Sequence, residues 1–260
     1  MKPKILITND DGPYSLGLKA SYSVLKDLGE VYVVAPMIQR SGVGRSISIM
    51  TPIRMQRINV NDVEIYVVDG TPTDAIILGI YEVVGEIPDL VVSGINLGEN
   101  LSTEAVTTSG TVCSALEAAT QGSKAIAISL ELPDHEKFEM FSKDFDFELA
   151  KRTLRRIAER VLRSGMPRGV DVLNVNVPSN ARFERMVVTR LARRLYSTRV
   201  EKRLDPRGRE YYWIYGVEVE RAEVGTDIDA LRKGFISVTP ISLDLTSKVD
   251  FRSLERWLNE

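Results

Sequence analysis

The sequence has too few cysteine and histidine residues for the metal sites that these residues usually build. Its 260 residues include one cysteine, Cys113, and one histidine, His135. A disulfide within the chain, a cysteine-based zinc site and a histidine-rich metal site are therefore excluded. A metal site in this protein would therefore use oxygen ligands, and such ligands favour hard cations such as Mg²⁺, Mn²⁺ and Ca²⁺.

Two further absences limit the class of protein. The 34 lysines and arginines nearly balance the 36 aspartates and glutamates, so no overall positive field attracts nucleic acid. No apolar run approaches the length of a membrane span, and the one after Met1-Lys2-Pro3-Lys4 is too short for a signal peptide. We therefore expect a soluble cytoplasmic protein without a membrane partner or a stable nucleic-acid partner.

Strand-like apolar runs alternate with helical patterns through the first half of the chain. The predicted strands are residues 4–8, 31–35, 63–68, 88–92 and 124–130. The predicted helices are residues 16–28, a helix that begins with Thr71 as N-cap and Pro72, and residues 109–120, with residues 36–45 and 93–108 as loops. This alternation predicts an α/β fold: a doubly wound, mostly parallel, Rossmann-like sheet in three layers.

The second half of the sequence predicts a β-hairpin and a helix as a C-terminal extension. A helix at 144–163 and strands at 172–177 and 186–189 come first. The segments 195–200 and 211–215 then flank Asp205-Pro206-Arg207-Gly208, whose proline and glycine suit a type I turn. Phe251, Leu254, Trp257 and Leu258 form the apolar side of a short final helix. Because an isolated hairpin is marginally stable in water, we expect both elements to pack on another surface, such as a second subunit.

The segment Asp10-Asp11-Gly12 directly follows the first predicted strand. In an open α/β sheet, ligands bind beyond the carboxyl ends of the strands. Two adjacent carboxylates repel each other and lose hydration there unless a cation or a proton compensates. The same residue types dominate ordinary turns, so this segment alone favours a cation site and a turn about equally.

Two more loops should meet these aspartates at the same edge of the sheet. One contains Ser41-Gly42-Val43-Gly44, and the other runs from Ser93 to Asn100 and includes Asn96. Taken singly, Ser41 and Asn96 fit ordinary loops. Together the loops offer carboxylate, hydroxyl and amide oxygens, a suitable shell for a divalent ion that also keeps water and substrate phosphate as ligands.

A fourth segment, Ser109-Gly110-Thr111, opens a predicted helix. The unpaired N–H groups and partial positive charge of a helix N-terminus suit a phosphate group. The alternative is that Ser109 is an N-cap without a ligand. A metal ion on one side and this helix on the other would hold a phosphate monoester.

Other chemistries match the sequence less well. Cys113 has no evident histidine partner, so core packing is expected, and His135 lies between acidic residues and is expected to be exposed. The glycines at 42 and 44 lack the rest of a dinucleotide-binding fingerprint, and a P-loop pattern is absent. A common aspartyl-phosphate phosphatase would need a second aspartate two residues after the first, where this chain has Gly12 and Pro13.

At these residues the chain closely resembles the SurE family of nucleotidases. Segments along nearly the whole chain carry the resemblance: Ile5-Leu6-Ile7-Thr8-Asn9-Asp10-Asp11-Gly12, Val34-Ala35-Pro36, Gln39-Arg40-Ser41-Gly42, Asp69-Gly70-Thr71-Pro72-Thr73-Asp74, Val92-Ser93-Gly94-Ile95-Asn96-Leu97-Gly98-Glu99-Asn100, Ser109-Gly110-Thr111-Val112, Gly225-Thr226-Asp227-Ile228-Asp229-Ala230 and Ser237-Val238-Thr239-Pro240. The chain departs from the family at Thr108, where tyrosine is frequent, and at Cys113-Ser114, where Gly-Ala is frequent. Both departures line the predicted phosphate helix, and neither belongs to the metal set.

The resemblance implies a phosphatase that converts nucleoside 5′-monophosphates to nucleoside and phosphate, with 3′-monophosphates as further candidate substrates. It also implies one divalent ion per subunit, Mg²⁺ or Mn²⁺. We expect metal-assisted hydrolysis in which one aspartate orients the attacking water, either Asp11 or Asp10 acting through a second contact. The implied metal ligands are Asp10, Asp11, Ser41 and Asn96. The predicted phosphate-binding residues are Asn9, Gly42, Gly44, Asn100, Ser109, Gly110 and Thr111.

The resemblance further implies a homo-oligomer, either a dimer or a tetramer. We divide the chain accordingly into an α/β catalytic core at 1–193, a protruding oligomerisation hairpin at 194–216, strands returning to the core at 217–247, and a C-terminal helix at 248–260 that subunits could exchange.

Two other functions fit the same residues. A nucleotide-binding regulatory module without turnover would use the same anion site, although paired carboxylates repel phosphate unless a cation is present. A metal-dependent nucleotide-sugar transferase would need a second, sugar-binding pocket.

Overall fold

The computed structural model describes residues 2–132, 145–181 and 184–260. The strands are β1 Lys4–Thr8, β2 Glu30–Pro36, β3 Met55–Val60, β4 Val63–Val68, β5 Leu90–Leu97, β6 Ala125–Leu130, β7 Val172–Val177, β8 Met186–Val188, β9 Tyr196–Leu204, β10 Glu210–Glu218 and β11 Ile236–Ile241. The helices are α1 Leu16–Leu25, α2 Pro72–Leu78, α3 Ser102–Thr108, α4 Gly110–Thr120, α5 Glu148–Ser164, α6 Asp227–Arg232 and α7 Phe251–Asn259, and α2 continues into a π-helical segment, Gly79–Val84.

The main sheet is mostly parallel, as the sequence predicts. Within the described ranges it has nine strands in the order β3-β4-β2-β1-β5-β6-β7-β11-β8. The strands from β4 to β7 in this order run parallel to one another. β3 pairs antiparallel with β4, and β11 pairs antiparallel with β7 and parallel with β8.

Helices cover both faces of this sheet and give three layers. Along β1, Ile5 and Ile7 belong to one buried apolar cluster and Leu6 to another, because successive side chains of a strand point to opposite faces. The first cluster includes apolar residues of α1 and α5, and the second includes those of α2 and α4. The predicted Rossmann-like, three-layer α/β fold is confirmed.

The topology switches direction between β1 and β5. The chain passes from β1 to β2 on one side of the sheet, whereas β5 lies on the other side of β1 and leads to β6 and β7. In open α/β sheets a crevice forms at such a switch point, beyond the carboxyl ends of the two strands. Thr8 pairs with Ser93, so the segments that contain Asp10 and Asn96 lie at the same level.

Local signals predicted the start of α2 correctly. The Thr71 side chain accepts a hydrogen bond from the Asp74 N–H, and the Asp74 carboxylate accepts one from the Thr71 N–H. Pro72 occupies the first turn, where its missing N–H costs nothing. This capping box is set by residues three positions apart, so it is visible in the sequence.

Some predicted boundaries are wrong. Residues 93–108 are not a loop, because β5 continues to Leu97 and α3 follows. The serine, glycine and asparagine of this segment are typical of turns, yet Ser93 and Gly94 are buried in the sheet. α1 ends at Leu25 instead of 28, and α5 begins at Glu148; residue 144, its predicted start, lies outside the described residues.

Two elements were not expected from the sequence. The edge strand β3 is largely exposed and lacks strict apolar alternation. The helix α6 lies in the segment 217–247, where only strands were expected, and β11 is a strand of that segment.

The predicted hairpin is present as β9 and β10. Residues 196–204 pair antiparallel with 210–218, and the Gly208 N–H donates to the Asp205 carbonyl at 2.9 Å. Large apolar side chains remain exposed on this hairpin and on α7, including Trp213, Ile214 and Trp257. Of the helices in the described residues, none is long and apolar enough to cross a membrane.

Candidate metal and phosphate site

The crevice at the switch point contains a cavity of about 210 Å³. The turn after β1 contributes two acidic side chains. The rest of the polar lining comes from the loop after β2, the end of β5 and the loop that follows it, the end of α3 and the cap of α4. The predicted site residues that line this cavity are Asp10, Asp11, Ser41, Gly42, Asn96, Asn100 and Ser109.

Asn9 shapes the turn that contains the two aspartates. Its side-chain amide donates to the Gly12 carbonyl at 2.9 Å, and its side-chain oxygen accepts from the Gly12 N–H at 3.2 Å. Gly12 has a positive φ of 96°, which glycine adopts at no steric cost. Asn9 is buried with both ends of its amide engaged, so it supports the turn. Its contact with phosphate stays a prediction.

Asp10 is held by the first turn of α4. The Thr111 hydroxyl donates to Asp10 Oδ1 at 2.5 Å. A Cβ atom on Gly110 would lie 2.6 Å from the Asp10 Cβ, so only glycine permits this close approach. Burial raises the pKa of Asp10, and hydrogen bonds from the Thr111 side chain and backbone act in the opposite direction.

Asp11 is the less well hydrogen-bonded of the two carboxylates. Burial and the neighbouring negative charge of Asp10 raise its pKa to about 7, against a hydrogen bond from Ser15. Its Oδ2 atom is buried and has no hydrogen-bond partner in the part of the chain that the structure describes. A buried carboxylate oxygen without a partner is costly, and a cation would remove that cost.

The loop after β2 is attached to the same region at several points. The Arg40 N–H donates to the Asp10 carbonyl at 2.7 Å, and the Gln39 side-chain amide donates to Ser41 Oγ at 3.1 Å. The Gly44 N–H donates to the Thr108 carbonyl at 2.8 Å, which ties this loop to the end of α3, and the contact of Gly44 with phosphate stays a prediction. Gly42 has a positive φ of 73°, and a Cβ atom added to it would meet no described atom within 4 Å, which leaves its backbone open to a ligand.

A register shift directs Asn96 at the end of β5. Ser93 pairs with Ala127 and Asn96 with Ser129, so β5 has one residue more than β6 between the two pairs. Such bulges re-aim side chains next to functional sites. The Asn96 side-chain NH₂ donates to the Gly98 carbonyl at 2.8 Å, an arrangement that presents the amide oxygen as the atom for a cation.

Asn100 is fixed by a group of buried polar side chains. Its N–H donates to Asn176 Oδ1 at 2.7 Å, its side chain donates to Ser129 Oγ at 2.9 Å, and its carbonyl accepts from Asn174 at 2.8 Å. These partners follow Asn100 by 29 to 76 residues, so the sequence gave no signal for them. They hold the loop after β5 in one position.

The start of α4 differs in part from its predicted role. Ser109 caps the helix by accepting from the Val112 N–H at 3.2 Å, which is the ordinary function of an N-cap serine, while its side chain also lines the cavity. Thr111 is fully buried and bonds to Asp10, and Gly110 packs against the same side chain. These two residues therefore position a predicted metal ligand, and their contact with phosphate stays a prediction.

The cysteine has no catalytic features. Cys113 is buried on α4, where desolvation raises the pKa of its thiol to about 11, and the predicted core packing is confirmed. His135 lies outside the described residues.

The donor set fits a hard divalent cation. Among residues 2–132, 145–181 and 184–260, no three His, Cys, Asp or Glu side chains form a group that could hold a metal ion. The cavity offers two aspartates instead, together with the neutral oxygens of Ser41 and Asn96. Mg²⁺ often has one or two protein carboxylates and completes its shell with water and phosphate.

The doubly wound sheet and this crevice define an α/β protein with paired carboxylates and a helix N-terminus at the topological switch point. The family model of the survival protein SurE matches residues 5–198. The chain is 65% identical to the 5′-nucleotidase SurE of Archaeoglobus fulgidus, over 98% of this chain and 97% of the relative. It is 50% identical to the 5′-nucleotidase SurE of Methanosarcina barkeri, over 99% of this chain and 98% of that relative.

A solved structure agrees with these sequence matches. The crystal structure of the SurE protein from Aquifex aeolicus superposes with a TM-score of 0.80 at 37% identity, covering 99% of this chain and all of that one. The chain belongs to the SurE family.

Proposed function

We propose that this protein is a divalent-metal-dependent phosphomonoesterase that hydrolyses nucleoside 5′-monophosphates to nucleoside and phosphate. Relatives that match nearly the whole chain carry the name 5′-nucleotidase. The observation that carries the proposal is the pair of adjacent carboxylates beside the N-terminus of α4: Asp10 is buried, Asp11 is partly buried, and one Asp11 oxygen has no partner in the described structure. Nucleoside 3′-monophosphates are further candidate substrates.

Four residues would hold the metal ion: Asp10, Asp11, Ser41 and Asn96. A bound Mg²⁺ or Mn²⁺ would neutralise phosphoryl charge and lower the pKa of a bound water molecule. We propose one ion per subunit, because the two carboxylates line a single cavity.

The backbone around the cavity would receive the phosphoryl oxygens. The backbone of Gly42, which is open to a ligand, and the partial positive charge at the N-terminus of α4 would stabilise the charge that develops on these oxygens. The side chains of Asn100 and Ser109 complete this wall. Four other residues would support this wall indirectly. Asn9 holds the turn that contains the aspartates, Gly44 holds the loop after β2, and Gly110 and Thr111 hold Asp10.

Asp11 is the residue that we assign to orienting the attacking water. Asp10 is already engaged by Thr111, whereas Asp11 Oδ2 lies in the crevice wall without a partner among the described residues. We expect Asp11→Asn to reduce turnover at least 100-fold while the far-ultraviolet circular dichroism stays unchanged. Asp27→Asn, on an exposed surface aspartate, is the matched control and should keep wild-type turnover.

The test is phosphate release from a panel of nucleoside monophosphates with Mg²⁺, with Mn²⁺ or with excess chelator. Metal-dependent release that Asp11→Asn abolishes would support the proposal and rank the substrates. Release that persists in chelator would contradict the metal requirement. Nucleotide binding without release under any condition would favour the regulatory module instead.

We also propose that the protein is a homo-oligomer, either a dimer or a tetramer, assembled through the hairpin at 194–216 and the helix at 248–260. The support is the exposed apolar surface on β10 and α7, which would be buried between subunits. The cytoplasmic location stays a prediction from the sequence.

A further inference from the structure

The loop after β2, residues 37–54, contains the predicted metal ligand Ser41 and the open backbone of Gly42. Each of its residues is described by the structure, and none of them belongs to a helix or a strand. The Ser41 hydroxyl accepts from the Gln39 side chain, which lies in the same loop and so does not tie it to the rest of the molecule. The position of the tip at 41–43 therefore depends on the segments on either side of it.

Contacts of these two segments hold the tip against the site. Before the tip, the Arg40 N–H donates to the Asp10 carbonyl at 2.7 Å. After the tip, the Gly44 N–H donates to the Thr108 carbonyl at 2.8 Å. Arg45 directly follows Gly44, and its side chain adds a charged contact to the second segment.

The Arg45 side chain binds two side chains of α4. Its Nε donates to Glu117 Oε2 at 2.8 Å, its Nη2 lies 2.7 Å from the same oxygen, and Nη2 also donates to Thr120 Oγ1 at 2.7 Å. Glu117 is buried, and its other carboxylate oxygen accepts from the Gln121 side chain at 2.6 Å. Because the guanidinium group is a planar fork with several donors, it reaches two side chains three positions apart from one position.

The helix α4 connects this contact to Asp10. Thr111 in the first turn of α4 donates to Asp10, and Glu117 follows Thr111 on the same helix, about 9 Å further along its axis at about 1.5 Å per residue. Ala115 lies between them and is fully buried in the apolar cluster on this face of the sheet, which fixes the helix. Asp10 and the loop of Ser41 follow different strands, yet both are held by one helix.

We propose that Arg45 is a positioning residue for the metal ion, because it holds the loop after β2 on α4 and so keeps Ser41 within reach of the ion that Asp10 binds. The inference rests on the proposed function, since it takes Ser41 and Asp10 as ligands. Arg45 lies outside the described lining of the metal and phosphate cavity, so its effect passes through the loop and not through contact with the ion or the substrate. Arg45 and Glu117 are 72 residues apart in the chain, so the sequence gave no signal for this role.

The alternative is that Arg45 only neutralises Glu117 and thereby stabilises α4. Removing one partner of a buried ion pair leaves an uncompensated charge and destabilises the fold, so Arg45→Met alone does not separate the two roles. The double variant Arg45→Met/Glu117→Gln also removes the charge at position 117 and leaves the loop detached from α4. Neutralisation alone predicts that this second change restores metal binding, whereas positioning predicts that only the stability recovers.

The test is calorimetric titration of the protein with Mn²⁺, with urea denaturation in excess chelator as the measure of stability. We expect Arg45→Met to weaken Mn²⁺ binding about tenfold, and the double variant to bind as weakly although it is more stable than Arg45→Met. Arg45→Lys keeps a cation for Glu117, and its Mn²⁺ affinity should lie within about threefold of the wild-type value. Turnover of adenosine monophosphate at saturating Mn²⁺ should stay within about threefold of wild type in each variant, because excess ion compensates for weak binding.

Arg155→Met is the matched control. The Arg155 side chain is 43% exposed, against 37% for Arg45, and it also pairs with a glutamate, Glu159. Its helix, α5, packs on the other face of the sheet, away from the loop after β2. We expect its Mn²⁺ affinity to equal that of the wild-type protein.

The outcomes separate this inference from the proposed function. Unchanged Mn²⁺ affinity in Arg45→Met, its return in the double variant, or equal weakening in Arg155→Met would overturn the positioning role and leave the proposed metal site intact. Loss of turnover in Arg45→Met that saturating Mn²⁺ does not restore would also overturn it. A wild-type protein that binds no Mn²⁺ would overturn the proposed metal site and this inference with it.

Discussion

At the scale of single residues, the site depends on how Asp10 is held. The Thr111 hydroxyl is its hydrogen-bond donor inside a buried environment, and hydrogen bonding to an ionised carboxylate favours the charged form that a metal ion needs. We expect Thr111→Val, which keeps the shape and removes the hydroxyl, to weaken Mn²⁺ binding about tenfold, equivalent to about 1.4 kcal/mol. Isothermal titration with Mn²⁺ measures this.

Ser114→Ala is the control for that variant. Ser114 is buried on the same helix, and its hydroxyl donates to the Gly110 carbonyl at 2.8 Å instead of to an aspartate. We expect its Mn²⁺ affinity to equal that of the wild-type protein. Equal weakening in the two variants would mean that Thr111 acts only through the stability of α4.

Asp11 makes the metal-free fold dependent on pH. Its pKa is about 7 in the folded protein against an ordinary value of 3.8, because it is buried next to Asp10. The folded state therefore binds this proton more tightly than the unfolded state, and the ionised group destabilises the fold increasingly as pH rises from about 4 to 7. We expect Asp11→Asn to stabilise the metal-free protein by about 1–4 kcal/mol at pH 8 and by less at pH 5.

Urea denaturation in excess chelator at the two pH values measures this difference. Adding Mn²⁺ should reverse the order of stability at pH 8, because the wild-type protein gains the binding energy of the ion. A variant that is equally stabilised at both pH values would show that the Asp11 charge is not the cause.

At the scale of elements, Asp227 anchors the start of α3, which contributes to the wall of the metal and phosphate cavity. Its carboxylate accepts from the N–H groups of Ser102 at 2.7 Å, Ala192 at 2.9 Å and Ile228 at 2.9 Å, and it is fully buried. In Asp227→Asn one acceptor oxygen becomes an NH₂ group that faces an N–H. We expect a loss of about 1–3 kcal/mol in the free energy of unfolding, measured by urea denaturation.

Asp229→Asn is the matched control on the same helix. Asp229 is partly exposed and bonds to Gly225 and Lys233, so the loss should stay below about 1 kcal/mol. Equal losses in the two variants would contradict the anchoring of α3 by Asp227.

Some helices and strands could be predicted because their signals lie within a few residues of one another. The capping box at Thr71 and Asp74 and the turn at Asp205 are set by residues a few positions apart, so the sequence predicted α2 and the hairpin. β5 was predicted too short because its serine, glycine and asparagine residues are held in the strand by neighbouring strands, which local patterns do not report.

At the scale of the whole molecule, the exposed apolar surface lies on the hairpin and α7. Ile214 is 75% exposed and Trp257 is 72% exposed. If these surfaces hold subunits together, Ile214→Glu combined with Trp257→Glu should lower the oligomeric mass. Multi-angle light scattering at matched concentrations measures it, with Arg168→Glu as a control that should keep the wild-type mass. An unchanged mass in the double variant would contradict assembly through these elements.

The sequence by itself determined the α/β class, most strands and helices, and the ordered motifs that bring Asp10, Asp11, Ser41 and Asn96 to one edge of the sheet. It could do so because apolar periodicity, caps and turns act over short distances along the chain. Only the tertiary structure decided which side chains support the site. Thr111 reaches Asp10 across 101 residues and Asn174 reaches Asn100 across 74, and such contacts depend on how the layers pack.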